Sequence, residues 1–450
     1  MNPLIFREYD IRGVFERDFS FEDARIIGRA FGTYIRERGG RTVLLGRDGR
    51  LSSPAVREAV IEGLVLSGTR VMDLGVCPSP VLYFGLHHLN ADAGLMITAS
   101  HNPPEYNGFK LCLGRETIHG SSLQDFRRLI EAGRFTSGAG SVEHIDMIKP
   151  YQDFVAGNVK LERPIRLAVD AGNATAGLAA GQIFRRLGCQ VEELFFELDG
   201  HFPHHPPDPT VEANVAVLSQ TVVEQGLELG LAFDGDADRL AVVDEQGRLI
   251  PGDRLLLILA RQVLEETGGG KFIADVKTSH LFFKDIEARG GQAIMWRSGH
   301  SLIRSKLKEE NALLAGEFSG HIFFRHRFLG HDDGMYAAAR LLEIVSRRAE
   351  PISRYLDDLP AVAGTPEIRI ECPEDKKFKL VELVKAELKA RHQTIDLDGV
   401  RVVFPDGWGL IRASNTGPLL VLRFEAESPG RLREIRGLIE DALKKCESMI

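Results

Sequence analysis

TVLLGRDGRLSSPAVREAVIEGLVLSGTRVMDLG, residues 42–75, is the stretch whose reading decides the fold. It runs from a short apolar strand through a polar, glycine-bearing loop into an amphipathic helix and ends on a second strand. The same succession returns in IRLAVDAGNATAGLAAGQIFRRLGCQVEELF, residues 165–195, and in KFIADVKTSHLFFKDIEARGGQAIMWRSGH, residues 271–300. Alternation of this kind builds α/β domains. Three copies predict three similar α/β domains with mixed, largely parallel sheets. The last part of the chain reads differently. Strands are expected at 368–372, 400–403, 408–412 and 419–426, and helices at 374–391 and 431–445. Closely spaced strands between two helices predict a smaller α+β domain with an antiparallel sheet. The expected domains are 1–147, 148–249, 250–361 and 362–450.

Composition agrees with a chain of several folded domains. Its 450 residues are 44% hydrophobic and 27% charged, ordinary globular values. The net charge of −8 argues against bulk nucleic-acid binding, while leaving room for a local basic cleft. Cys77, Cys112, Cys189, Cys372 and Cys446 are far apart and form no C-x-x-C pair. They read as free thiols in a reducing compartment. The first residues, MNPLIFREYDIRG, carry charges and no long apolar core of a signal peptide. The longest apolar runs, such as 255–260, are too short to span a bilayer. The expectation is a cytoplasmic protein without membrane or nucleic-acid partners, working as a monomer or, alternatively, a dimer.

Ligands of α/β domains bind beyond the carboxyl ends of strands, so the informative residues are those just after strands. MITASHNPPEYNGFK, residues 96–110, puts Ser100 on a loop stiffened by Pro103 and Pro104; a lone loop serine ordinarily only caps a turn. LAFDGDADRLAVV, residues 231–243, alternates Asp234, Asp236 and Asp238 with small residues. Three converging carboxylates repel one another unless a hard divalent cation sits among them. A calcium EF-hand is excluded, because Arg239 stands where its glycine is needed and the flanks read as strands. Mg²⁺ suits the loop best, with Arg239 beside it to hold a phosphate. In LLAGEFSGHIFF, residues 313–324, Glu317, Ser319 and His321 alternate and would share one face if extended. GLIRASNTGPLLVLRFE, residues 409–425, gathers Arg412, Ser414, Asn415 and Thr416 into a cradle for an oxyanion, although it is also ordinary turn chemistry. Tyr9, Arg12, Lys277 and His300 say little individually.

Taken together, TASHNP, DGDADR, GEFSGH and RASNTGP, in this order, closely resemble the α-D-phosphohexomutases, bacterial phosphomannomutase/phosphoglucomutase branch. The resemblance covers essentially the whole chain and implies that the four domains are arranged around a central cleft. It implies an isomerase that moves a phosphoryl group between O1 and O6 of mannose or glucose phosphates, through a phosphoserine and a hexose 1,6-bisphosphate. Ser100 would carry the phosphoryl group, and Asp234, Asp236 and Asp238 would bind the Mg²⁺ that also touches it. Glu317 and Ser319 would meet sugar hydroxyls. Arg412, Ser414, Asn415 and Thr416 would hold the phosphate that is not reacting, with Tyr9, Arg12, Lys277 and His300 contacting substrate. His101, Lys110, Arg239 and His321 would lie near the reacting phosphate. The acid/base is open among Lys110, His300 and His321; His101 is disfavoured because neighbouring side chains on an extended loop point apart. Phe318 and Gly417 depart from the branch's usual methionine and threonine. The rivals are a phosphoglucosamine mutase, a phosphatase and a non-catalytic sugar-phosphate binding protein.

Overall fold

Each of the three repeats begins on a buried strand: Thr42–Arg47, Arg166–Asp170 and Lys271–Asp275 in a computed structural model that describes residues 1–449. Their apolar residues, such as Val43, Leu44 and Leu45, are fully buried. Three further strands complete each unit, always in the spatial order second, first, third, fourth. The first three strands run parallel; the fourth turns back antiparallel beside the third. The third and fourth strands are Ala93–Ile97 and Tyr106–Leu113, Leu229–Phe233 and Leu240–Asp244, and Leu314–Gly316 and Ile322–Phe324. The segments joining them are 98–105, 234–239 and 317–321. The three motifs that look unrelated in sequence therefore occupy one and the same topological position.

The first sheet is widened by Ile11–Val14, antiparallel to Tyr106–Leu113, which brings the N-terminal segment to the cleft. The last domain is an antiparallel sheet backed by the helices Lys377–Lys389 and Pro429–Glu447. Its long central hairpin pairs Gly407–Ala413 with Leu419–Ala426, and the connection is the 414–418 loop. That hairpin, Val400–Phe404 and Ile368–Glu371 stand where the sequence places strands.

One apolar core runs without interruption through the first three units, from Leu44 and Tyr83 through Leu167 and Phe233 to Phe324 and Tyr336. The last domain has its own core around Val400, Ile411, Leu422 and Ile439. Among the described residues, a small cluster of Val276, Trp408 and Leu410 bridges the two. The helix Gly334–Arg347 is buried along nearly its whole length, and no described helix is long and apolar enough to cross a membrane. All five cysteines are buried and unpaired.

Candidate active site

The three equivalent loops and the 414–418 loop converge on a cleft of about 710 Å³. Its wall includes Tyr9, Arg12, His101, Arg239, Lys277, His300, Glu317, Ser319, His321, Arg412, Ser414, Asn415 and Thr416. Arg7, Arg17 and Arg369 add further positive charge, which makes the cleft basic inside a net acidic chain.

Below the cleft floor Ser100, Lys110, Asp234, Asp236 and Asp238 are all buried. Ser100 Oγ donates to Asp234 Oδ2 at 2.6 Å. Lys110 Nζ donates to Asp236 at 2.6 Å and also to Asp238. Burial, then repulsion from Asp238 and Asp236, pushes the Asp234 carboxyl well above the usual range. Asp238 is held well below it, since Lys110 and His321 outweigh the effect of burial. Asp236 Oδ1 has no hydrogen-bond partner. A fully buried carboxylate triad with an orphaned oxygen and a serine hydroxyl at its edge fits a hard, oxygen-seeking divalent cation.

Ser100 adopts a left-handed backbone, φ +50°, which costs a non-glycine residue roughly 1–2 kcal/mol. The extended loop expected from sequence is thereby overturned. In the turned backbone Ser100 Oγ and His101 Nδ1 lie 3.1 Å apart instead of pointing away from each other. The anchor of this loop is Arg50, a residue that motif reasoning passes over. Its guanidinium is fully buried and every donor is used. Nε binds Asp48, Nη1 binds the carbonyls of Pro103 and Tyr106, and Nη2 those of Ser100 and Asn102. The GRDGR spacing, with Asp48 two residues before Arg50, was the available signal. Gly235 presses on the same loop: a Cβ there would lie 2.3 Å from the Ser100 carbonyl oxygen.

The 317–321 segment is a tight turn, so the condition for Glu317, Ser319 and His321 to share an extended face is not met; the Glu317 N–H donates to the His321 carbonyl at 2.9 Å and closes it. This fold-back lets His321 Nδ1 donate to Glu317 Oε2 at 2.9 Å. His321 Nε2 then lies 3.1 Å from Asp238 Oδ1 and 3.3 Å from Arg239 Nε. Burial acts to lower the His321 pKa, but Asp238 and Glu317, opposed by Arg239, carry it up to about 9. His300 starts the helix His300–Glu309, and its ring centroid lies 5.5 Å from that of His321. Burial drives His300 and His101 well below the ordinary histidine range, with Lys110 adding to this at His300 and Arg239 at His101. Phe318 does not line the cleft. Arg423 stacks 3.7 Å from its ring centroid, at the joint between the third and last domains.

At the opposite end Arg412 Nε donates to Asp398 at 2.8 Å, and Lys277 Nζ to Glu367 at 3.0 Å. Lys377 Nζ ties down the carbonyls of Ser414 and Gly417. Asn415 donates to the Tyr9 hydroxyl, which in turn donates to the Ser298 carbonyl. Asp398, Glu367 and Lys377 lie outside every motif, so nothing local in the sequence marks them. Arg12 is clamped by Asp10 and Asn102.

Family models for all four domains of phosphoglucomutase/phosphomannomutase match the chain: alpha/beta/alpha domains I, II and III at residues 3–133, 143–247 and 251–362, and the C-terminal domain at 367–442. The chain belongs to the α-D-phosphohexomutase family. It is 44% identical over 447 residues, 99% of its length and 96% of the relative's, to the phosphomannomutase/phosphoglucomutase of Pseudomonas aeruginosa. It is also 44% identical to a phosphoglucomutase of Neisseria gonorrhoeae, covering 99% and 98% of the two chains. A solved phosphoglucomutase/phosphomannomutase family protein of Burkholderia thailandensis superposes with a TM-score of 0.93 at 42% identity, over 99% and 98% of the chains. Within the family these relatives place it in the bacterial phosphomannomutase/phosphoglucomutase branch: an isomerase that transfers a phosphoryl group on hexose phosphates.

Proposed function

We propose that the enzyme interconverts hexose 1-phosphates and 6-phosphates of mannose and glucose, with Ser100 as the phosphoryl carrier and a 1,6-bisphosphate as intermediate. The observation that carries this reading is the Ser100 hydroxyl held against the buried triad, directly beneath a basic cleft. The relatives' names support both sugars.

Asp234, Asp236 and Asp238 would hold Mg²⁺, which when bound supplies charge neutralisation at the phosphoryl oxygens. Lys110 and Arg239 flank the same place and bring positive charge to the transferring group. His321, its Nδ1–H fixed by Glu317 and its pKa carried up to about 9, stays charged beside the transferring group, and the neutral His300 next to it takes the sugar hydroxyl's proton. The oxygen–phosphorus bond to Ser100 breaks as the bond to the sugar oxygen forms, and Ser100 Oγ takes up one proton to become a hydroxyl again. Lys110 is unsuited to the base role, because Asp236 and Asp238 hold it charged against the effect of burial. The His300 ring, tilted against that of His321, serves the same substrate face. His101, within reach of Ser100 Oγ, contacts the serine. Glu317 and Ser319 meet sugar hydroxyls, while Arg412, Ser414, Asn415, Thr416, Lys277, Tyr9 and Arg12 grip the distal phosphate. The bisphosphate turns over between the two ends, so each end accepts either phosphate.

The domain limits set at 147 and 361 are supported by the sheets, since Ser141–His144 closes the first and Ala363–Gly364 opens the last, whereas the limit at 249 falls inside Leu249–Ile250, which pairs with the second sheet. All these site residues lie on one chain, an arrangement that suits a monomer or a dimer of self-sufficient subunits. The five unpaired cysteines support a reducing, cytoplasmic setting.

Phosphorus NMR tests the reading. With Mg²⁺ and a trace of glucose 1,6-bisphosphate, mannose 1-phosphate and glucose 1-phosphate should both become 6-phosphates, and Ser100→Ala should abolish the conversion without unfolding the protein. Conversion of glucosamine 1-phosphate alone would assign the neighbouring activity instead.

A further inference from the structure

The aspartate triad has one member whose carboxylate is aimed from outside its own unit. Asp234 Oδ2 accepts from Ser100 Oγ, and its Oδ1 from the Arg239 N–H at 3.1 Å. Asp238 faces Lys110 with Oδ2 and His321 with Oδ1. Within the triad, Asp236 is the member with an unpartnered oxygen, Oδ1, and it is fully buried. Buried polar atoms are nearly always paired, so Oδ1 marks a place where the triad meets its cation. The other oxygen, Oδ2, is doubly occupied: Lys110 Nζ donates to it at 2.6 Å and Ser79 Oγ at 2.5 Å.

Ser79 stands 157 residues from Asp236 in the chain and lies outside every motif. It opens the helix Ser79–His88 of the first unit and is fully buried. The first N–H groups of a helix have no partner within it, and here the Ser79 N–H goes to the Asp236 carbonyl at 2.9 Å. One residue of the first unit thus grips both the backbone and the side chain of a triad member in the second. The positive end of that helix also opposes the repulsion among the carboxylates.

Holding Oδ2 has a chemical consequence. A carboxylate with one free oxygen gives a cation one bond. Mg²⁺ accepts single oxygens from a few carboxylates in a tight octahedron, whereas Ca²⁺ gathers about six to eight oxygens and readily takes both from one carboxylate. We propose that Ser79 is a positioning residue: it keeps Asp236 a one-oxygen ligand and thereby makes the triad prefer Mg²⁺ to Ca²⁺. The inference rests on the assignment of Mg²⁺ to the triad and not on the sugar or the proton acceptor.

Calorimetry of Mg²⁺ and of Ca²⁺ binding to the whole protein tests it, beside rates measured across a Mg²⁺ titration. Ser79→Ala should weaken Mg²⁺ binding by roughly 10–100-fold, the range seen when a metal ligand loses a supporting hydrogen bond, and raise the half-maximal Mg²⁺ concentration by the same factor. Ca²⁺ affinity should hold, so the preference for Mg²⁺ falls by that factor too. Ser79→Thr keeps the hydroxyl and should bring both affinities back. If circular dichroism melts show that Ser79→Ala does not fold, Ser79→Cys keeps the shape with a weaker donor and carries the same comparison. An unchanged ratio of Mg²⁺ to Ca²⁺ affinity in the folded variant would overturn the proposal, whether both affinities hold or both fall; a joint fall is general loosening of the loop. A wild type that takes up no Mg²⁺ would sink the metal assignment and this inference with it. Uptake of Mg²⁺ without mutase turnover would sink the catalytic reading alone, and the affinity ratio would still decide the role of Ser79.

Discussion

At Ser100 a strained backbone is held by an unusually complete set of contacts. A positive φ persists in a non-glycine residue only where the surroundings over-determine it. Here Thr98 Oγ1 accepts the Ser100 N–H at 2.9 Å, and Arg50 gathers four carbonyls of the loop. Lysine cannot reproduce that planar set of five donors. Arg50→Lys should leave carbonyls unsatisfied and cost about 3 kcal/mol of stability. Because misplacing a reacting group by an ångström costs on the order of 100-fold, turnover should fall by about that factor. Denaturant melts and steady-state assays of the same variant check both numbers. The roles of Ser100 and the aspartates were suggested by residue type and spacing. Arg50, Asp398 and Lys377 were not, because their importance comes from carbonyls and side chains that folding brings to them from elsewhere in the chain. Phe318 stands inside the GEFSGH motif, yet its ring lies against Arg423, away from the cleft wall. A motif tells which residues are adjacent in sequence; it does not tell which way each side chain faces.

Among the elements, the recurring unit explains why three dissimilar loops meet. Each leaves the carboxyl end of a third strand and returns in an antiparallel fourth. The strand–helix–strand repeats were visible in hydrophobic pattern alone. The shared position of the loops was not, because strand order is set by long-range pairing. Register also settles the 317–321 segment, whose alternating polar pattern is equally compatible with a strand and with a turn: the pairing of Gly316 with Ile322 decides for the turn. Close approach between two loops of this kind makes Gly235 sensitive. A methyl group there would meet backbone, not a side chain that can swing aside. Gly235→Ala should therefore separate the serine from the triad, cut turnover by on the order of 100-fold and raise the Mg²⁺ concentration needed for half-maximal rate. Activity measured across a Mg²⁺ titration tests this.

Taken whole, the molecule is one three-unit body with a separately cored fourth domain, and the joint between them is polar. Glu425 accepts from Trp408 Nε1 at 2.9 Å within its own domain, and from Ser279 Oγ at 2.9 Å and His280 Nδ1 at 2.7 Å across the joint. Burial would raise its pKa, but the hydrogen bonds from His280, Ser279 and Trp408 bring it down to about 2. A folded pKa below the unfolded value means stability that is fully present above about pH 4.5 and is lost as pH falls through about 2. Glu425→Gln should thus destabilise the protein by on the order of 3 kcal/mol at pH 7, and by much less at pH 3. Melts of both proteins at the two pH values measure the difference. Small apolar contact at this joint, with a separate core on either side, also favours motion of the last domain over bound substrate.

The buried cysteines carry one more consequence. Burial pushes the Cys77 and Cys189 thiols up to about 12 and Cys112 to about 11, leaving little thiolate to react. A chromogenic thiol reagent should find the native protein almost silent. Two of these residues lie in the first unit, one in the second, two in the last domain and none in the third. Mass-resolved labelling under mild denaturant would then work as a set of clocks, each timing the opening of its own region. Cys372 and Cys446 should be tagged before Cys77 if the last domain loosens first.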